Sequence, residues 1–295
     1  MTTTLTAPPV VAGPAGTRRR DPRRFTLTGV LTYTAAGCFV LVLLGLFAAL
    51  ILESFATAWR GGWLPAGFTG SWFAQAWNDP AYGVSSHLLT TFEIGVSVIV
   101  ISVLAGVPAA YVLARRSFPG KSLVMVLLAL PILLPPLTYA TQLSSLIYTI
   151  GLGSTLPGVI LSNLVPALPF VILVMTPFVE QVRPDVEQAA RMCGANTWHL
   201  FGRIIGPLLL PGVLAASILT LVRVFGAFEL TFFVAGPQSQ SLIVAVFGAA
   251  ANPAGSAPPL VAAMAVCYMA TSLVVFALAL SFVNPTQIVS RERKS

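Results

Sequence analysis

Charge is scarce. Asp, Glu, Lys and Arg together make 8% of the 295 residues, against about 25% in an ordinary water-soluble domain. A chain so poor in charge and 56% hydrophobic has lipid rather than water as its solvent over most of its length. Histidine is scarcer still: His87 and His199 are the two, and the topology derived below puts them in different compartments. No His/Cys/Asp/Glu cluster has metal-ligand spacing, and neither a Gly-x-Ser-x-Gly elbow nor a phosphate-cradling glycine loop occurs. Cys38, Cys193 and Cys267 are far apart and odd in number, which implies neither a disulfide framework nor a metal site. A membrane enzyme needs polar groups converging at one depth, and none assemble here. No cofactor is expected, no soluble domain and no internal repeat.

What is present is a series of long apolar runs, and the sequence predicts an all-α integral membrane protein with six transmembrane helices. Residues 1–28 are rich in Thr, Ala, Pro and Gly and then basic, with Arg18, Arg19, Arg20, Arg23 and Arg24, as in a disordered tail that anchors to anionic headgroups. The membrane body, 29–284, carries spans near 29–52, 88–113, 123–148, 156–179, 208–233 and 260–283, and 285–295 is a second tail. The first apolar run, about 24 residues, is too long for a cleaved export signal. Residues 53–87 hold Trp59, Trp63, Trp72, Trp77 and Tyr82, which fits a loop with interfacial aromatics. Pro131, Pro135 and Pro136 interrupt the third span, and Leu242–Ala250 is too short to cross, so it lies in the interface or dips in.

The net charge of +7 is explained by where the cations sit. Five of the 16 Lys and Arg are in the N-terminal tail and three in the C-terminal tail. Arg115, Arg116 and Lys121 follow the second span, and Arg183, Arg191 and Arg203 lie between the fourth and fifth. The positive-inside rule therefore places both termini and residues 180–207 in the cytoplasm of a multi-pass cell-membrane protein. Membrane lipid is a partner on this reading and nucleic acid is not.

Residues 180–207 are the one long polar interruption between spans on that side. Val186, Ala189, Ala190 and Cys193 fall at i, i+3, i+4 and i+7, a face of small apolar groups on one short helix. Pro184 suits its first turn and Gly194 a left-handed stop. Asn196 or Thr197 can cap a second helix whose apolar side is Trp198, Phe201, Ile204 and Ile205, before Pro207 opens the fifth span. Small side chains suit a protein groove better than headgroup insertion.

Glu93, Arg223 and Glu229 lie within spans, where a charge costs about 2.5–3.5 kcal/mol. Each should face protein or water. Glu93 and Glu229 can line an outward-facing cavity, or reach the headgroups. Arg223 and Glu229 are six residues apart, about 240° around a continuous helix, so they do not share a face. Arg223 then reads as a tether to a neighbouring helix or subunit. Tyr139 and Gln142, spaced i, i+3, and Asn163 on the fourth span are further candidates for a solute path, against interhelical hydrogen bonding as the plainer reading.

The loop resembles the "EAA" signature of the permease subunits of binding-protein-dependent ABC importers, Glu-Ala-Ala-x3-Gly-x9-Ile-x-Leu-Pro. The register is Gln188-Ala189-Ala190, Gly194, Ile204 and Pro207; the family's Glu is Gln188, with Glu187 just before it, and the family's Leu is Gly206. The resemblance covers roughly residues 85–285. It implies a type I importer fold with a coupling helix between spans 4 and 5 that docks on a separate ATPase subunit. It further implies a second permease, as hetero- or homodimer, and an extracytoplasmic solute-binding protein. The coupling residues would be Glu187, Gln188, Ala189, Ala190, Gly194, Ile204 and Pro207, and the chain itself would bind no nucleotide. Phe225–Pro237 looks like the branch for spermidine/putrescine, also associated with phosphonate, iron and thiamine, which makes a polyamine-like solute the expectation. Sugar permeases of the same superfamily are the alternative. A stand-alone secondary transporter is the alternative of another class, and it would need inverted repeats and a complete ion site in one chain.

Overall fold

The structure, a computed structural model, describes residues 27–59, 62, 65–80, 82–252 and 256–281. The basic tail, Arg60, Trp63 and the C-terminal tail lie outside them. Among the described residues the architecture is helical, with one isolated antiparallel bridge, Ala56 to Phe68. The helices are α1 (Leu27–Phe55), α2 (Ser71–Asn78), α3 (Val84–Arg115), α4 (Lys121–Leu133), α5 (Pro136–Thr149), α6 (Leu156–Gln181), α7 (Pro184–Met192) and α8 (Thr197–His199). After a π-helical segment, Leu200–Ile205, come α9 (Gly206–Phe225), α10 (Phe228–Val234), α11 (Leu242–Ala251) and α12 (Pro258–Ser281).

Residues up to Ala48 and those from Ala49 onward are separate compact units. In the first, Leu31, Phe39, Leu41 and Leu46 of α1 are exposed apolar side chains, the surface expected of a helix solvated by lipid. In the second, α6 is the central helix, touching α3, α4, α5, α9 and α10. Its Val171, Ile172, Met175 and Val179 join Ala110 and Leu113 of α3 and Leu209 and Ala216 of α9 in one buried cluster. Small residues permit this approach. A Cβ on Gly212 would come within 2.6 Å of the Phe178 ring, so α9 can lie against α6 only where that position has no side chain.

Among the described residues five helices are long and apolar enough to cross a membrane, and a sixth span results if α4 and α5 are taken together. That pair bends by 99°, so the apolar stretch from 123 to 148 is two helices meeting at a near right angle rather than one straight helix. The cause is local. Leu134 and Pro135 are both extended, at ψ 137° and 129°. Consecutive prolines remove two backbone donors and push each preceding residue out of the helical region. The Tyr139 hydroxyl donates across the break to the Pro131 carbonyl at 3.3 Å.

Two further expectations change. No new helix starts at Pro207: Thr197–Phe225 is one continuous helical run, because proline is tolerated in the first turn of α9 and the π segment carries the chain through. Nor does the fifth span reach residue 233. It stops at Phe225, Gly226 and Ala227 break the helix, and α10 starts afresh. The short helix over Leu242–Ala250 is present as α11, one residue longer.

The loop after α1 is tied to the second unit's own end of α3. Trp72 Nε1 donates to the Ala56 carbonyl at 2.8 Å, and Trp72 packs with Ala76, Val84, Leu242 and Leu260. Thr91 Oγ1 accepts from the Leu242 amide at 2.9 Å, which fixes the start of α11 beside the first turns of α3.

Candidate functional site

Two regions carry the candidate residues. The first is α7 and its flanks. Pro184 is in the first turn of α7 and Gly194 follows its end at φ +82°. The Gly194 amide donates to the Arg191 carbonyl and the Ala195 amide to the Ala190 carbonyl, each at 3.0 Å. This pair of bonds is a Schellman stop, which satisfies two end carbonyls and needs a residue comfortable at positive φ. Asn196 Oδ1 then accepts from the His199 amide at 2.8 Å and caps α8.

The faces of α7 are clear. Glu187 and Ala190 are buried, whereas Val186, Gln188, Ala189 and Cys193 are exposed. Ala190 therefore belongs to the chain's own core with Leu200, Ile205 and Leu209, and the outward face is Val186, Ala189 and Cys193. The second apolar side also differs from its α-helical register. Leu200 and Ile205, five apart, are the buried pair, as π-helical i→i+5 geometry requires. Trp198 is 88% exposed and Met192 is 83% exposed. Ile204 is half-buried, and Gly206 and Pro207 are exposed.

Glu187 makes the strongest polar contacts of the region. The Arg115 Nε donates to Glu187 Oε1 at 2.8 Å, and the Tyr111 hydroxyl donates to Oε2 at 2.6 Å. Arg115 Nη2 lies 2.6 Å from the same Oε1 and donates to the Val182 carbonyl at the end of α6, also at 2.6 Å. The Tyr111 ring meets Phe201 edge-on, centroids 4.8 Å apart. One carboxylate thus ties α7 to the last turn of α3, and the same guanidinium ties α6. The two side chains are 15% and 12% exposed, and removing one partner from such a pair costs about 3–5 kcal/mol.

The second region is a cavity of about 190 Å³ where α5, α6, α9 and α10 meet. Asn163, Pro166, Arg223 and Glu229 are in its lining with Gly226 and Ala227. The break at Gly226–Ala227 is what brings Arg223 and Glu229 to one space despite their six-residue separation; on an unbroken helix they would diverge. It also suits their charges, since Arg223 is in the last turn of α9 and Glu229 in the first turn of α10, each at the favourable end of a helix dipole. Arg223 lies over the Phe170 ring, 5.4 Å from its centroid. Asn163 is 2% exposed, and its Nδ2 donates to the Val159 carbonyl at 2.9 Å and to Thr231 Oγ1 at 3.2 Å. Pro166 leaves the Ser162 carbonyl without its helical donor.

The other path candidates stand outside this lining. Glu93 is exposed on α3 between Leu89 and Val96. The Tyr139 hydroxyl is engaged at the α4–α5 break. Gln142 is exposed, and its Oε1 accepts from Thr141 Oγ1 at 2.8 Å. Sequence reasoning missed Tyr111, Arg115, Phe170 and Thr231 as site residues. Arg115 was visible only as one of the cations that orient the chain; its partner is 72 positions away.

No group of three or more His, Cys, Asp or Glu that could hold a metal ion occurs among the described residues.

Comparison with known proteins agrees with this architecture. The Trehalose transport system permease protein SugB of Mycobacterium tuberculosis is 34% identical over 200 residues, 68% of this chain and 72% of that protein. The Sulfate transport system permease protein CysW of Synechocystis sp. is 30% identical over 227 residues, 73% of this chain and 78% of that one. A chain in the crystal structure of a bacterial ABC transporter involved in the import of the acidic polysaccharide alginate superposes with a TM-score of 0.68 at 19% identity, covering 86% of this chain and 96% of its own, which is a likeness of fold. Residues 102–285 match the family described as binding-protein-dependent transport system inner membrane component. The chain belongs to that family: it is a multi-pass permease subunit of an ABC importer, a transport component rather than an enzyme.

Proposed function

We propose that this permease moves a neutral saccharide, and that α7 is where its ATPase subunit docks. The observation that carries the docking reading is the outward face of α7, where Val186, Ala189 and Cys193 are exposed, as are Met192 and Trp198, while Glu187 bonds the helix to α3 from the other face. A short helix with small apolar groups outward suits insertion into a protein cleft. Docking puts residues 180–207 and both termini in the cytoplasm, in line with the cation distribution. An extracytoplasmic binding protein then delivers the solute at the opposite end of the bundle, and a second permease completes the path.

The solute reading is supported by the trehalose-named relative and by the balance of charge in the cavity. Arg223 and Glu229 share one space. A polycation would meet Arg223 there and a dianion would meet Glu229, each at low dielectric where repulsion is strong. A polyhydroxylated neutral solute suffers neither, and its hydroxyls can donate to the carboxylate and accept from the guanidinium. The polyamine-like expectation rests on the look of Phe225–Pro237, and neither relative named above has a polyamine in its name.

The test is purification in mild detergent with mass identification of what accompanies the chain, followed by a ligand screen of the binding protein. Recovery of an ATPase, a second permease and a binding protein that takes up a disaccharide supports the reading. A binding protein that takes only spermidine or sulfate overturns the solute, and a stable chain without ATPase overturns the docking.

A further inference from the structure

We propose that the Glu187–Arg115–Tyr111 cluster is the joint that transmits movement between α7 and the membrane helices. This rests on the reading of α7 as the ATPase docking element and deepens it by assigning the transmitting residues. Glu187 is turned away from the docking face. Its two oxygens are taken by Arg115 and Tyr111 of α3 at 2.6–2.8 Å. The neighbouring Gln188, at the signature position itself, is exposed. The carboxylate therefore grips the bundle, and Gln188 is left for the partner.

The linkage is directional because Arg115 has two engagements. Its guanidinium holds Glu187 of α7 and, through Nη2, the Val182 carbonyl at the end of α6. A displacement of α7 consequently pulls on the ends of α3 and α6 together. These two helices are closely packed, with Gly106 of α3 so near α6 that a Cβ would come within 2.9 Å of Val171 Cγ1. Apolar contacts at Ala190 resist compression of α7 onto the bundle. The ion pair and the Tyr111 hydrogen bond resist its withdrawal, since a charge-assisted hydrogen bond cannot be extended by an ångström without being lost. Tension thus falls on these polar bonds and compression on the apolar contacts.

The experiment uses the complete transporter in lipid nanodiscs with its binding protein, and compares wild type with Glu187→Gln, Arg115→Met, Arg115→Lys and the Glu187→Gln/Arg115→Met double variant. Two quantities are read: ATPase retained on the purified complex, and solute moved per ATP hydrolysed. The expected result is wild-type retention of ATPase with about a tenfold fall in solute per ATP, equivalent to about 1.4 kcal/mol of coupling. The double variant falls no further than the singles, because one joint is broken once. Arg115→Lys, which keeps the charge but cannot span Glu187 and Val182 together, falls between. If Glu187→Gln sheds the ATPase while Arg115→Met keeps it, Glu187 touches the ATPase directly and the joint is overturned. Wild-type solute per ATP in both singles overturns it as well. Absence of ATPase from the wild-type complex instead overturns the docking reading. Should Arg115→Met fail to insert, Tyr111→Phe, which removes one bond only, reports the same ratio.

Discussion

Asn163 Nδ2 reaches Thr231 Oγ1 at 3.2 Å, from the middle of α6 to the short helix after the break in the fifth span. Both side chains are 2% exposed. The bond fixes α10, and with it Glu229, against the central helix.

Thr231→Val keeps the shape of the side chain and removes the acceptor. Asn163 retains the Val159 carbonyl, so the loss is one interhelical bond, about 0.6 kcal/mol and at most about 1.7. We expect normal insertion, a fall of a few degrees or less in the melting temperature of the detergent-solubilised chain, and an uptake defect larger than that fall would account for. Proteoliposome uptake alongside a thermal melt checks it, and unchanged uptake would mean that α10 does not need this tie.

Glu229→Gln leaves Arg223 as the single charge of the cavity. Uptake of a neutral saccharide should fall about tenfold, the scale of one charge-assisted hydrogen bond exchanged for a neutral one. Uptake of an anionic analogue should fall less or rise. The ratio of the two uptakes is the measurement, and an equal loss for both would remove Glu229 from solute contact.

Gly194→Val forces a β-branched residue to φ +82°. The Schellman bonds at 3.0 Å cannot both survive, and the cost is about 1–2 kcal/mol or more. The variant should reach the membrane in normal amount and lose stimulation of ATP hydrolysis by the binding protein. Full stimulation would show that α7 tolerates a different exit.

Ala189→Trp and Ala190→Trp separate the two faces of α7. Ala189 is exposed and Ala190 lies in the chain's own core. A bulky residue at 189 should reduce co-purified ATPase without lowering the melting temperature of the chain alone. At 190 it should lower that temperature first, by overpacking of about 1–3 kcal/mol. The two variants are compared by melt and by the ATPase recovered.

Gly212→Val brings a branched side chain against the Phe178 ring, which stands 2.6 Å from where a Cβ would be. α9 and α6 would have to separate. We expect a sharp fall in the amount of folded chain extracted, measured by fluorescence-detected size exclusion.

Much of the fold was legible because lipid as solvent makes helices obligatory and hydropathy reports their positions. The apolar runs near 88–113 and 156–179 are helical, in α3 and α6, for this reason. The α4–α5 break was signalled by Pro135 and Pro136, but not its angle, which depends on what covers the freed backbone. The split of the fifth span at Gly226–Ala227 was harder. Neither residue forbids a helix, and the sequence around them is apolar on both sides, so periodicity ran straight through. That miss also separated Arg223 from Glu229. In the loop, Gly194 and Asn196 were readable from local stereochemistry. The inward turn of Glu187 was not, since its partners Tyr111 and Arg115 are 76 and 72 positions away and no local spacing connects them. The outward turn of Trp198 was hidden by the π segment, which shifts register without any compositional mark.

That π segment makes the helix from Thr197 to Phe225 one residue longer than its contacts require. An α-helix advances about 100° per residue, so deleting a single residue between Leu200 and Ile205 would rewind everything ahead of it by roughly that angle while Leu209 and Ala216 stay seated. Trp198 would turn by the same angle. The extra residue thus works as a stored quarter-turn: Leu209 and Ala216 seat one half of the helix against α6 and α3, Leu200 and Phe201 seat the other in the same core beside Tyr111, and the mismatch between them is absorbed in one place.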